Sequence, residues 1–102
     1  MKIYLDDERI GPIGWLTINN IKTCIDLLKT KKVTHLSLDH DLGEIDPGHT
    51  GYDILLWLEE QVYYDNEFII PEIVLHTENG PGRKRMLQAI ESIMKLKTND
   101  RS

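Results

Sequence analysis

The sequence predicts an open α/β sheet of about four parallel strands flanked by helices. Three observations predict it. Short apolar runs alternate along the chain with longer stretches of helical period. The runs are continuously apolar rather than strictly alternating, as in parallel strands covered on both faces. Three of them end in reactive polar clusters, Asp6-Asp7, Asp39-His40-Asp41 and His76-Thr77. Ligands bind such sheets there, beyond the carboxyl ends of the strands.

Lys2-Ile3-Tyr4-Leu5 is the first strand, and Gly11, Pro12 and Gly14 impose a loop after it. Trp15 to Ile18 gives a weak second strand. Asn19 or Asn20 caps a helix that places Ile21, Cys24, Ile25 and Leu28 on one face, with Lys31 and Lys32 near its end. Val33 to Leu38 forms the third strand. A loop through Gly43, Asp46-Pro47-Gly48 and Gly51 follows.

Thr50 and Asp53 have capping-box spacing. The helix they open carries Ile54, Leu55, Leu58 and Val62, with Trp57 alongside. Pro71 interrupts the next apolar run, which leaves Ile73 to Leu75 as the fourth strand. Gly80-Pro81-Gly82 reads as a break before a last helix along Met86, Ile90 and Ile93. Residues 1–97 are expected to form a single α/β domain, and Thr98 to Ser102 a frayed polar tail.

Composition narrows the function classes. At 102 residues, with 40% apolar and 28% charged side chains, the chain suits one soluble globular domain with one core. Twelve basic against seventeen acidic residues give a net charge of -5, the wrong sign for general nucleic-acid backbone binding. A single cysteine, Cys24, excludes an internal disulfide framework and a thiolate zinc cluster. No signal peptide and no membrane-spanning run is read, since the longest apolar run is Ile54 to Leu58. A cytoplasmic domain is expected.

The polar clusters carry the chemistry. Carboxylates crowded at one rim repel one another unless a cation joins them. A hard divalent ion, Mg²⁺ or Mn²⁺, takes oxygen ligands and leaves positions open for a phosphate. His40 and His76 titrate near neutrality and are candidate acid–base groups. Thr77 can donate a hydroxyl hydrogen bond to a phosphate oxygen. Arg83, first after the glycines at a helix start, can fork onto phosphate. Asp39-His40-Asp41 does not open a calcium loop, because Gly43, Glu44 and Thr50 occupy its fifth, sixth and twelfth positions. Walker, dinucleotide-glycine and serine-elbow motifs are absent from the sequence.

An acidic pair after strand one, an Asp after a central strand, a glycine opening a helix and a Thr after the next strand resemble a response-regulator receiver domain, of flavodoxin-like architecture. The nearer resemblance is to the receiver-like family described as cyclic-phosphate processing. It rests on LDDER…P…W, SLDHDLG, TGYDILLWLEE and HT…GR, which lie between Leu5 and Arg85. The resemblance implies that Asp6, Asp7 and Asp39 hold Mg²⁺ or Mn²⁺, with Asp39 at the phosphoacceptor position and Thr77 on the phosphoryl group. There is little room for a first helix between Arg9 and Trp15. After Met94 only a short polar tail remains, so the receiver's last strand and its lysine are missing.

The function expected on these grounds is a metal-dependent phosphoesterase acting on a cyclic phosphate of nucleotide or RNA origin. Its ligand would be a small cyclic phosphate or nucleotide, or an RNA terminus. One of His40 and His76 would activate water and the other protonate the leaving alkoxide. Asp41 would orient His40 or complete the metal shell, and Arg83 and Thr77 would bind the non-bridging oxygens. In a variant of this mechanism Asp39 attacks phosphorus itself. The alternative is a non-catalytic receiver-like module, of a bacterial or phage regulator, that binds a phosphorylated ligand or a protein partner through the same rim.

Overall fold

The computed structural model describes residues 1–99. Among these, four strands and three helices form: β1 Lys2–Leu5, β2 Leu16–Ile18, α1 Ile21–Leu28, β3 His35–Leu38, α2 Gly51–Tyr64, β4 Glu72–Leu75 and α3 Gly80–Asn99. The strands are all parallel, in the order β2-β1-β3-β4. The chain runs from β1 outward to β2, then crosses back over β1 to reach β3. Its direction of travel reverses between β1 and β3, and the crevice at that reversal is where sheets of this class bind ligands.

The pleat sorts the side chains. Ile3, Leu5, Leu36 and Leu38 are fully buried on one face. They share a single core with Ile21, Cys24 and Leu28 of α1, Ile54, Leu55, Leu58 and Val62 of α2, and Met86, Ala89 and Ile93 of α3. All helices among the described residues therefore bury against the same face. The expected cover on both faces is not found. The link from Asp6 to Trp15, broken by Gly11, Pro12 and Gly14, is too short and too irregular for a helix, and it crosses the other face as a loop.

That second face carries Lys2, Tyr4, Thr17, His35, Ser37, Glu72 and Val74, brought side by side by the strand register. Gly11 lies against Tyr4 so closely that a Cβ there would stand 2.7 Å from the Tyr4 side chain. Trp15 meets Tyr4 and His35 edge-on, with centroids 6.5 and 6.2 Å apart.

Helix ends follow the sequence signals closely. Asn20 caps α1 by accepting from the Thr23 amide, and the Thr50–Asp53 capping box opens α2. The expected break at Gly80-Pro81-Gly82 is instead the first turn of α3. Proline is tolerated there because its missing N–H has no helical partner in any case. Asn79 caps this turn, its side-chain oxygen accepting from the Gly82 amide at 2.9 Å. Thr98, expected in a frayed tail, continues the helix and donates to the Met94 carbonyl. Residues 100–102 of that tail lie outside the described residues.

Candidate functional site

The backbone ladder does not stop at the strand ends. Asp6 N donates to Ile18 O, Asp39 N to Leu5 O and His76 N to Leu38 O, each at 3.0 Å. The residue after each strand is thus still held in register. Asp6, Asp39 and His76 form one row across the carboxyl rim, and one ligand atom from each lies within 4.8 Å of the others.

Asp6 is 2% exposed. Its Oδ1 accepts from the amides of Glu8 and Arg9 at 2.8 and 2.9 Å, which turns the chain sharply. Its Oδ2 meets His76 Nε2 at 3.1 Å and Arg9 Nε at 3.5 Å. Burial pushes this carboxyl up, but the Arg9 and Glu8 amides and the His76 ring outweigh it and hold the group below its ordinary value.

His76 reaches Asp6 by lying across β3. The small Ser37 beneath it leaves room for the ring and meets Nδ1 at 2.7 Å. Tyr4 stacks on the imidazole, with centroids 4.1 Å apart and planes 6° from parallel. Both ring nitrogens are thereby engaged. Burial lowers the pKa of His76, and the neighbouring Asp6 and Asp39 restore only part of it.

Asp39 is 9% exposed, and its Oδ1 accepts from the His40 amide at 2.8 Å. Among the described residues no cationic side chain pairs with it. It lies at an open cleft of about 250 Å³ lined also by Asp7, Glu8, Arg9, Asp41, Thr77 and Asn79. Asp7 approaches Gly43, whose positive φ of 58° favours glycine. Gly51 at the start of α2 packs directly on the Asp39 carbonyl, where a Cβ would overlap the oxygen.

His40 sits beside the cleft with its ring against Gly82. Asp41 Oδ1 holds its Nδ1 at 2.9 Å, and the Asn79 amide braces Asp41 at 3.2 and 3.3 Å. The hydrogen bond from His40 keeps the Asp41 carboxyl below its usual value. Thr77 Oγ1 accepts from the Asn79 amide at 3.1 Å, which leaves its hydroxyl proton free to donate.

The sequence-predicted residues Asp7, Asp39, Asp41 and Thr77 are thus brought to one cleft. Asp6 and His76 stand behind it and His40 beside it. Arg83 does not line it. It turns outward and donates from Nη1 to the Leu75 carbonyl at 3.1 Å, on the free edge of β4. Arg9 occupies the place expected of Arg83, and Asn79 is a second residue that motif reading passed over. The signal for Asn79 was present, since an Asn one residue ahead of a helix start is a cap. Arg9 had only its position in the turn that Asp6 closes.

The donors fit a divalent cation. Five carboxylates face the cleft, those of Asp7, Glu8, Asp39, Asp41 and Glu78, against the single Arg9. Buried Asp39 has no cationic side chain paired with it among the described residues. Among the described residues no helix is long and apolar enough to cross a membrane. A family model described as a cyclic-phosphate processing receiver domain matches residues 1–92. No curated protein and no solved structure matches the chain.

Proposed function

The chain belongs to the cyclic-phosphate processing receiver domain family, and from that premise we propose that it hydrolyses a cyclic phosphodiester of nucleotide or RNA origin at the β1–β3 crevice. The observation that carries this reading is the cleft itself, where buried Asp39 meets hydrogen-bond donors suited to a phosphate. Asp6, Asp7 and Asp39 would hold a divalent cation, Mg²⁺ or Mn²⁺. When bound, the cation would neutralise the phosphodiester and favour attack on phosphorus.

The side chains divide the remaining work. Arg9 leans on Asp6 through Nε, which leaves its terminal N–H groups for a non-bridging oxygen. The Thr77 hydroxyl donates to another. These contacts strengthen as charge gathers on the oxygens in the transition state. His40 takes a proton from the attacking water at Nε2, because Asp41 fixes Nδ1. As the new P–O bond forms, the ring P–O bond breaks, and the departing alkoxide takes its proton from water in the open cleft. His76, with Nδ1 on Ser37 and Nε2 on Asp6, belongs to the acidic row and takes no part in the proton transfer.

The test is turnover with Mg²⁺ or Mn²⁺ on nucleoside 2′,3′-cyclic phosphates, ADP-ribose cyclic phosphates and cyclic oligonucleotides. Ring opening that is lost in Asp39→Asn and His40→Ala supports the reading. A ligand that binds at the rim without turnover overturns it in favour of a binding module.

A further inference from the structure

We propose that the metal at this site is a borderline transition ion rather than magnesium, held by Asp6 and Asp39 oxygens together with His76 Nε2. The inference rests on the reading of the rim as a metal site and names the class of ion it takes. Three features carry it. The first is proximity. Asp6 Oδ2 and His76 Nε2 are 3.1 Å apart, and all three donor atoms lie within 4.8 Å of one another. Two ligands in adjacent positions on one ion with bonds of about 2.1 Å stand about 3 Å apart. The third donor, no more than 4.8 Å away, reaches a comparable separation by a shift of at most about 1.8 Å.

The second feature is the support around the imidazole. A histidine that ligates through one nitrogen donates the proton on its other nitrogen to a fixed acceptor, which sets the tautomer and aims the ring. Ser37 Oγ lies 2.7 Å from His76 Nδ1 and can accept that proton. Tyr4 stacked on the ring fixes its plane. The ring is therefore aimed by three contacts, of which only the one to Asp6 is exchanged when an ion enters.

The third feature is charge. Asp6 and Asp39 are 2% and 9% exposed. The one cation beside them among the described residues is Arg9, 3.5 Å from Asp6 with its side chain half exposed. Two buried carboxylates with a neutral imidazole beside them suit an ion of charge +2. An imidazole nitrogen in the set selects Co²⁺, Ni²⁺ or Zn²⁺ over Mg²⁺, which takes oxygen and holds its water.

The experiment uses metal-stripped protein and the ions alone. Co²⁺ and Mg²⁺ affinities are measured by calorimetry, and the Mn²⁺-loaded protein is examined by pulsed electron paramagnetic resonance for coupling to an imidazole ¹⁴N. Expected are a nitrogen coupling in the wild type, retained in His40→Gln, and Co²⁺ binding about 100-fold tighter than Mg²⁺. His76→Gln should abolish the coupling and weaken Co²⁺ about 100-fold, and Ser37→Ala should weaken it about 10-fold. A wild-type spectrum without nitrogen coupling overturns the inference even if His76→Gln fails to fold. The two readings separate cleanly. Turnover with Mg²⁺ and no coupling sinks the metal assignment and leaves the phosphoesterase standing. Coupling without turnover on any cyclic phosphate does the reverse.

Discussion

Gly82 lies against the imidazole of His40, and a Cβ built on it would stand 2.6 Å from His40 Cγ. Within a helix alanine is otherwise about 1 kcal/mol better than glycine. Gly82→Ala is therefore expected to displace His40 and cut turnover about 10-fold or more, with the helix gain offsetting part of the cost of moving the ring. Full activity in a stable variant would remove His40 from the chemistry.

Gly51 presents a different case, because its neighbour is the Asp39 backbone, which cannot swing aside. Gly51→Ala should cost about 3 kcal/mol, the upper end of overpacking penalties. Urea unfolding measures it directly.

Arg9 and Arg83 should separate in kinetics. Arg9→Ala is expected to lower turnover about 10- to 100-fold by removing a charged donor to phosphate. Arg83→Ala, which frees only the Leu75 carbonyl at the sheet edge, should stay within about 2-fold. The reverse order would place the phosphate at the start of α3.

Acid should destabilise the fold in two stages of the same sign. The His76 pKa is lowered from 6.5, chiefly by burial, so the unfolded ring binds its proton more readily than the folded one. Its contribution is complete above pH 6.5 and declines as pH falls through the folded value. The Asp6 contribution is complete above its unfolded value of 3.8 and is lost as pH falls through the lower folded one. Each proton contributes a slope of at most about 1.4 kcal/mol per pH unit. Denaturant titrations between pH 8 and 5 should show the first decline, and His76→Gln should flatten it.

Cys24 is fully buried in the core, and burial pushes its thiol up to about 12. A thiol reagent should leave the native protein unmodified at neutral pH and react at once in denaturant. Rapid labelling without denaturant would show that α1 opens away from the sheet.

The strands and their polar ends were legible because each apolar run is short, bounded and followed by residues of one chemical kind. The caps at Asn20 and Thr50 were legible for the same local reason. What depends on distant partners was not. That all helices share one face follows from the brevity of the 6–15 link, which periodicity within single elements does not register. The path of His76 over Ser37 to Asp6 joins residues 70 positions apart. The place of Arg83 at a helix start favours a phosphate, yet its guanidinium bonds the Leu75 carbonyl at the end of β4.

The row formed by Asp6, Asp39 and His76 exists only while the ladders between β1, β2, β3 and β4 are closed, since each member is held by a carbonyl of a neighbouring strand. A fragment that lacks any of these strands loses a tether or a member of the row. Occupancy and global folding are consequently linked. A ligand at 100 times its dissociation constant should deepen the native well by about 2.7 kcal/mol. Thermal shift therefore becomes a way to search for the unknown substrate without waiting for a product.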